Sequence, residues 1–296
     1  LYRKKPASKT FEKIKQIPNV KVNVIYEKFN MFFVGTSQGL FVTNDNNFNR
    51  IKHYFPNEKI TTILLDSKQR LWIGTQERGL YLVNDFDELI KEVEVFSETH
   101  PNNALDNNRI SKIIEDATGN IWLGTYAGLN KYDEVNKKII SQDKLLVDFI
   151  KKSIINDIFI DKDKIYLATP QGLIILIFDK LKKRLDVEKR DYSGISDNFL
   201  CAIQKDNEGS IWLSSSNTLI KYDTESKNSI IFSRVDGVLI NSFHIASSFK
   251  DLNGHLYFGG SNGLIKFDPK NINTTTTVPD VIFTKILVNN KEVDIN

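Results

Sequence analysis

The side chains that most often carry catalysis or bind metal ions are few and scattered in this chain. It has one cysteine, Cys201, and four histidines, His53, His100, His244 and His255. A zinc site needs three or four such ligands at short, regular spacings, and none of these separations fits. Neither a G-x-S-x-G nucleophile motif nor a glycine-rich phosphate loop is present. The sequence therefore predicts no catalytic group, no metal site and no cofactor.

Two Asp-rich turns, at residues 161–164 and 206–209, are the remaining candidates for a cation site. Both are much shorter than the 12-residue loop that binds calcium in EF-hands. An Asp at the start of a hairpin turn also has a structural use, because its carboxylate accepts a hydrogen bond from a backbone amide two residues later. Since an Asp recurs at five equivalent turns, we interpret these residues as turn formers.

An aromatic residue followed shortly by a small residue returns six times along the chain. It reads F-V-G-T, W-I-G-T and W-L-G-T, and then Y-L-A-T, W-L-S-S and Y-F-G-G. The small third residue lies at positions 35, 74, 124, 168, 214 and 259, a mean period of about 45 residues. A period in the forties with strand-like apolar runs is typical of radial β-repeats and not of helical solenoids.

The third copy of the repeat can be divided into four strands. Apolar runs at 109–116 and 121–125 form strands A and B, joined by a turn that contains Gly119. An alternating run at 129–133 forms strand C, and a weaker run near 138–140 forms strand D. The sequence thus predicts an all-β protein, a β-propeller of four-stranded antiparallel blades.

The recurring aromatic is predicted to be a core residue. Tryptophans often bind sugars, but Trp72, Trp122 and Trp212 occupy one equivalent position, with Phe or Tyr in the other copies. A ligand site would not need the same aromatic in every blade, whereas packing between neighbouring sheets would. The small residue that follows allows the inner strands to approach closely.

The two ends of the chain depart from the repeat. Residues 10–15 alternate like an outer strand, and we expect this strand to complete the last blade. Tyr2 and Arg3 resemble the remnant of a strand C, so the count of six or seven blades stays open. After Pro279 a new strand-and-turn pattern appears. The predicted domains are therefore a propeller over residues 1–278 and, over 279–296, a linker or the start of a following β-sandwich domain.

Composition excludes one class of partner. The chain has 40 basic and 37 acidic residues, a net charge of +3. Such a balance argues against a dedicated nucleic-acid surface, which needs a basic excess.

Candidate ligand-binding residues lie in the loops, because propeller strands are committed to packing. The B–C and D–A loops share one face of the ring, and their side chains are rich in amides, aromatics and some positive charge. Such a mixture suits sugar hydroxyls or anionic groups of an oligosaccharide. Our candidates are Gln76, Arg78, Asn108, Arg109, Tyr126, Tyr192, His244 and Asn262.

The repeat resembles the two-component regulator propeller repeat over about residues 20–270, most closely in the second and third copies. The third copy matches the family pattern nearly throughout, at Ile110, Ile113, Asp116, Gly119, Ile121, Trp122, Gly124, Thr125, Gly128, Leu129, Tyr132 and Asp133. The tail after Pro279 is similar to the junction with the immunoglobulin-like domain that follows these propellers.

The resemblance implies a non-catalytic sensor module of a two-component histidine kinase. It implies a periplasmic or extracellular location, in a protein anchored in the inner membrane that senses glycan fragments and regulates transcription. The implied partners are an oligosaccharide, a sister propeller, the immunoglobulin-like domain and, in the parent protein, a second copy in a homodimer. Two alternatives stay open: a structural propeller that mediates dimerisation without a small ligand, and a propeller lyase or hydrolase.

Overall fold

The computed structural model describes residues 1–4, 10–85, 92–100, 105–142, 153–179, 184–190, 198–272, 286–288 and 291–293. Their regular structure is almost entirely β, with two single-turn 3-10 helices at Arg234–Asp236 and Pro269–Asn271. The first sheet along the chain pairs β1 (Tyr2–Arg3) with β2 (Glu12–Lys13).

Six antiparallel sheets follow, with their strands in sequence order A, B, C and D in the first five and A, B and C in the sixth, and they are the blades of a six-bladed propeller. Blade one comprises β3 (Val22–Lys28), β4 (Met31–Thr36), β5 (Gly39–Thr43) and β6 (Lys52–Tyr54). Blade two comprises β7 (Ile60–Leu65), β8 (Leu71–Thr75), β9 (Leu80–Val83) and β10 (Val93–Phe96). Blade three comprises β11 (Ile110–Glu115), β12 (Ile121–Thr125), β13 (Gly128–Asp133) and β14 (Lys138–Ser141).

The remaining three blades repeat this order. Blade four comprises β15 (Asp157–Asp161), β16 (Lys164–Thr169), β17 (Gly172–Asp179) and β18 (Arg184–Arg190). Blade five comprises β19 (Ala202–Lys205), β20 (Ile211–Ser214), β21 (Leu219–Tyr222) and β22 (Ser229–Phe232). Blade six has three described strands, β23 (Phe243–Lys250), β24 (Leu256–Gly260) and β25 (Gly263–Phe267). The four strands predicted for the third copy are thus confirmed.

The recurring aromatic packs between neighbouring blades, as predicted. Trp72 of blade two is fully buried among apolar residues of blade three, including Ile110. The small residue two positions later lets the next blade approach. A Cβ atom added to Gly74 would lie only 2.9 Å from Cβ of Ile110, closer than side chains tolerate. Aromatic and glycine therefore act together, one filling the space between blades and the other narrowing it.

In blades two, three, five and six an Asp closes the A–B turn, and the same carboxylate accepts a hydrogen bond from the aromatic of strand B. Asp116 accepts backbone amides from Thr118 and Asn120 through Oδ1, as the turn interpretation requires. Its Oδ2 accepts the indole N–H of Trp122 at 2.9 Å. Corresponding indole bonds join Asp66 to Trp72 and Asp206 to Trp212, both at 2.8 Å. The indole bond satisfies a buried donor, and the sequence analysis did not anticipate it.

The last residue of the aromatic motif closes the B–C turn. The Thr125 hydroxyl donates to the carbonyl of Gly128 at 3.0 Å and accepts the amide of Ala127 at 3.1 Å. The fifth copy differs, because the Ser215 hydroxyl lies 2.7 Å from the hydroxyl of Thr218. In both cases the turn presents its loop at the same end of the ring.

Polar side chains at the start of strand A link successive blades around the hub. Asn23 donates to the Ile60 carbonyl at 2.8 Å, and Thr61 donates to the Ile110 carbonyl at 2.6 Å. Ser111 continues the series by donating to the carbonyl of Ile155. The last member is Asn156, which donates to the Leu200 carbonyl at 2.7 Å. The chain of side-chain bonds between blades thus runs from blade one to blade five.

The N-terminal segment takes a different place from the one predicted. A strand is present at Glu12–Lys13, but it pairs with Tyr2–Arg3, and among the described strands it does not pair with blade six. The physical reason lies in Ile14 and Ile17, which are buried in an apolar cluster on blade one that includes Val34. Burying these side chains holds the segment against the first blade.

One face of blade six is left uncovered by the described residues. In blades one to five the Leu of strand C that pairs with the small residue is at most 3% exposed, whereas Leu264 in blade six is 59% exposed. Phe249, which pairs with Tyr257 on this sheet, is 62% exposed. The first five such leucines are Leu40, Leu80, Leu129, Leu173 and Leu219.

Of the tail after the propeller, the structure describes one hairpin, β26 (Ile286–Val288) paired with β27 (Lys291–Val293). Among the described strands this hairpin joins no blade. The domain boundary near residue 278 lies outside the described residues, and the following immunoglobulin-like domain stays a prediction.

Candidate functional site

A cavity of about 640 Å³ lies where the inner strands converge, and we call it the hub cavity. Strand A of each blade lies beside that of the next, and β23 of blade six also approaches β11 of blade three. The described lining comprises residues 21–24, 61–62, 76, 109–112, 126, 199 and 243–247. These positions belong to the D–A and B–C ends of the blades, the face that the sequence analysis selected.

Four of the eight predicted residues line this cavity together: Gln76, Arg109, Tyr126 and His244. They come from blades two, three and six, so the arrangement of the blades around a common axis brings them together. Arg109 and His244 are exposed, while Gln76 and Tyr126 are partly buried. Among the described residues, no hydrogen bond or ion pair engages the side chains of Gln76, Arg109 or His244. Their polar groups therefore face the cavity without a protein partner there.

Arg109 and Tyr126 contact each other in the cavity wall through both their backbones and their side chains. Arg109 immediately precedes β11, and Tyr126 immediately follows β12, its antiparallel neighbour. The Tyr126 amide donates to the Arg109 carbonyl at 3.1 Å, which fixes the two backbones together. The guanidinium carbon lies 3.9 Å from the centre of the tyrosine ring, a cation–π contact. The face of the guanidinium thus packs on the tyrosine ring, and the N–H groups at its edge make no hydrogen bond to a described residue.

Beneath the hub cavity lies a charged pair that was not predicted, formed by the lining residue Lys112 and by Asp157, which is not part of the lining. Nζ of Lys112 lies 3.1 Å from Oδ1 of Asp157 in blade four. Asp157 is fully buried, and its Oδ2 accepts the amide of Ile203 in blade five at 2.9 Å. A carboxylate with these partners ties three blades together. The sequence signal that could have revealed this pair is Lys112 itself, a charged residue inside the innermost strand at the position where blade one has Val24.

The other predicted residues have local structural partners outside the lining. Arg78 pairs with Glu58 at 3.2 Å, beside Tyr81, whose pKa is raised to about 12 by burial and then by the negative charge of Glu58. The amide of Asn108 donates to the Glu98 carboxylate at 2.5 Å, and its side chain accepts the Glu98 amide.

Asn262 similarly bridges two backbones of blade six. Its Oδ1 accepts the amide of Asn241 at 2.8 Å, and its Nδ2 donates to the carbonyl of Leu239 at 2.8 Å. The eighth candidate, Tyr192, lies outside the described residues.

In the described part of the chain, no group of three or more His, Cys, Asp or Glu side chains converges as a metal site would require. The described segments also contain no helix with the length and apolar character needed to cross a membrane.

Comparison with known proteins identifies the repeats. The family described as "Two component regulator propeller" matches residues 54–77 and 104–127, and each match spans the A–B turn of its blade, two or three, and ends within the B–C turn. These two segments are similar to the repeat of that family. The second matched segment contains Arg109 and Tyr126 and therefore supplies this part of the cavity wall.

A curated protein with similar sequence is "Histidine kinase P4" of Formosa agariphila, 27% identical over 260 residues. The match covers 84% of this chain and 18% of the kinase. The regulator propeller thus corresponds to a small part of that relative.

Solved structures share the fold. The extracellular domain of a protein described as a hybrid two component system, BT3049 of B. thetaiotaomicron, matches with a TM-score of 0.68 and 21% identity. That match covers 94% of this chain and 44% of the other. Virginiamycin B lyase of Staphylococcus aureus matches with a TM-score of 0.64 and 15% identity, over 86% of this chain and 83% of the lyase. The same fold therefore occurs in a signalling protein and in an enzyme, so the function of this chain has to be argued from the residues of its site.

Proposed function

We propose that this regulator propeller is a non-catalytic ligand-sensing module of a two-component histidine kinase, exposed outside the cytoplasmic membrane. Its ligand is an oligosaccharide fragment that binds in the hub cavity, and binding is transmitted across the membrane to a kinase that regulates transcription. The observation that carries the proposal is the hub cavity, where three polar side chains from three blades converge without a hydrogen-bond or ion-pair partner among the described residues. The repeat identity and the likeness to Histidine kinase P4 support the signalling role.

The cavity suits binding more than turnover. A lyase or hydrolase needs a general acid and base at hydrogen-bonding distance from the substrate. The described lining holds one histidine, His244, and no carboxylate side chain, and the nearby Asp157 is already committed to Lys112 and Ile203. Turnover of any oligosaccharide by the purified chain would contradict the non-catalytic assignment.

Transmission requires partners beyond this chain. We infer a sister propeller, an immunoglobulin-like domain and a second copy of the parent protein, because a ligand can bias a kinase only by favouring one packing of its subunits. No nucleic acid is expected as a partner, since the net charge is only +3.

The test is calorimetric titration of a panel of oligosaccharides into this chain and into the whole extracellular region of the parent protein. Binding with one-to-one stoichiometry is expected, and Tyr126→Ala should weaken it because it removes the support of Arg109. Arg78→Gln is the matched control, since Arg78 lies on the same face but outside the cavity lining. No measurable binding of any oligosaccharide of the panel to either protein would refute the sensing role.

A second candidate function is a protein-interaction propeller without a small ligand. The uncovered apolar face of blade six, with Phe249 and Leu264, favours it, because large exposed apolar side chains clustered on one sheet mark interaction sites. A mass measurement by light scattering across a concentration series tests this candidate. Concentration-dependent dimerisation that Leu264→Glu abolishes would support it, and a monomer at every concentration would exclude self-association through this face.

A further inference from the structure

We propose that the hub cavity selects an acidic oligosaccharide, one that bears carboxylate or sulfate groups. This inference rests on the proposed sensing function and names the class of its ligand. Its first support is the sign of the charges around the cavity.

The described lining contains three cationic side chains, Lys21, Arg109 and Lys112, and neither Asp nor Glu. The chain as a whole is nearly balanced, with 40 basic and 37 acidic residues, so this one-sided lining is a local property. Asp157 beneath the cavity offsets part of the Lys112 charge. Lys21 and Arg109 have no carboxylate partner among the described residues and leave the cavity positive. A concave site lined by one sign of charge raises the local concentration of oppositely charged ligands.

The second support is the geometry of Arg109. Its guanidinium carbon lies 3.9 Å from the Tyr126 ring centre, and this stacking restricts the plane of the group. The N–H groups at its edge make no hydrogen bond to any described residue. A planar fork of N–H donors matches the two oxygens of a carboxylate or sulfate, and little side-chain entropy is lost because the fork is already held.

The third support is the shortage of a free stacking surface. Neutral sugars are commonly bound by laying an apolar ring face on an aromatic side chain. The described aromatic residues of the lining are three: Tyr126, whose ring already carries the guanidinium, Phe243, which is buried in the blade-six core, and Phe199, which is partly buried against the same core. Charge recognition is therefore better provided for than stacking.

The experiment compares matched ligands by calorimetry on the full chain. One pair is a uronic-acid trisaccharide and the same trisaccharide with its carboxylates reduced to alcohols. The other pair is a sulfated trisaccharide and its desulfated form. We expect the charged member of at least one pair to bind at least tenfold more tightly, with an affinity that falls as sodium chloride is raised. Which pair responds distinguishes carboxylate from sulfate recognition.

Variants then locate the effect. Arg109→Gln should weaken binding of the acidic ligand roughly 10- to 100-fold, the range expected for losing a charge-assisted hydrogen bond. Arg109→Lys keeps the charge but loses the fork, so an intermediate loss is expected. Arg78→Gln, which removes the same charge from outside the cavity, should leave affinity unchanged.

Three outcomes would overturn the inference. Equal or tighter binding of the neutral members would leave the sensing function standing and refute acidic selectivity. Unchanged acidic-ligand affinity in Arg109→Gln, with the variant folded by circular dichroism, would place recognition elsewhere. Binding of no saccharide at all would refute both the inference and the proposed function.

Discussion

Replacing Leu129 by Ala removes a side chain that is fully buried between blades three and four. Leu129 packs in a cluster with Trp122 and Ile155, and none of its surface is accessible. Deleting a leucine side chain at such a site costs about 2–5 kcal/mol, because the lost apolar burial is accompanied by a cavity. Leu264 is the same residue of the repeat in blade six, but it is 59% exposed. Leu264→Ala should therefore cost about 1 kcal/mol or less.

The assay is urea unfolding of both variants and the parent chain, followed by tryptophan fluorescence and far-ultraviolet circular dichroism. The pair is well matched, since both leucines lie in strand C opposite the glycine of the aromatic motif. A loss in Leu264→Ala equal to that in Leu129→Ala would refute the reasoning, because it would mean that blade six is covered in solution. Repeating the measurement at tenfold dilution then shows whether a second copy covers it.

Three further substitutions test the blade architecture by the same unfolding assay. Asp116→Asn should cost about 1–3 kcal/mol, because a carboxylate that accepts the Trp122 indole and the turn amides is lost. Burial would raise the pKa of Asp116, but hydrogen bonds from Trp122 and neighbouring groups outweigh burial and lower the pKa. The carboxylate therefore stabilises the fold above about pH 4, and this contribution is lost on acidification. The variant should accordingly lose less stability than the parent chain between about pH 5 and 3. Gly74→Ala should cost about 1–3 kcal/mol by forcing a Cβ against Ile110, and no loss would contradict close blade packing. Thr61→Val should cost about 1 kcal/mol by removing the hydrogen bond to the Ile110 carbonyl, and a neutral result would mean that the hub bonds do not contribute to stability.

Much of the scaffold could be predicted because the types and spacing of the repeated residues indicate how the blades pack. The aromatic and small residues recur with a fixed period, and packing between identical sheets is the one environment that would demand both. Trp72 and Gly74 accordingly lie where they were predicted. The use of Asp116 as an acceptor for Trp122 was not predicted, since the turn alone already explains an Asp at that position.

The candidate site was predicted only in part. Arg109 and Tyr126 could be predicted because Arg109 precedes one strand and Tyr126 follows the next on the same face, and topology alone brings such positions together. Arg78 shares that face but is held outside the lining by Glu58, a pairing between loops that no repeat pattern encodes. Lys112 was missed because a lysine in an apolar strand looks like an outward-facing residue until the axis of the ring is known.

The central claim, that the hub cavity binds the ligand, is tested most directly by hydrogen-exchange mass spectrometry of the full chain with and without a saturating acidic oligosaccharide. Ligand binding protects the backbone it orders. The account predicts slower exchange in peptides covering residues 107–112, 124–128 and 243–247, with no change at the A–B turns 116–120 and 206–210 on the opposite face. Protection confined to those A–B turns, or to the uncovered face of blade six, would contradict it.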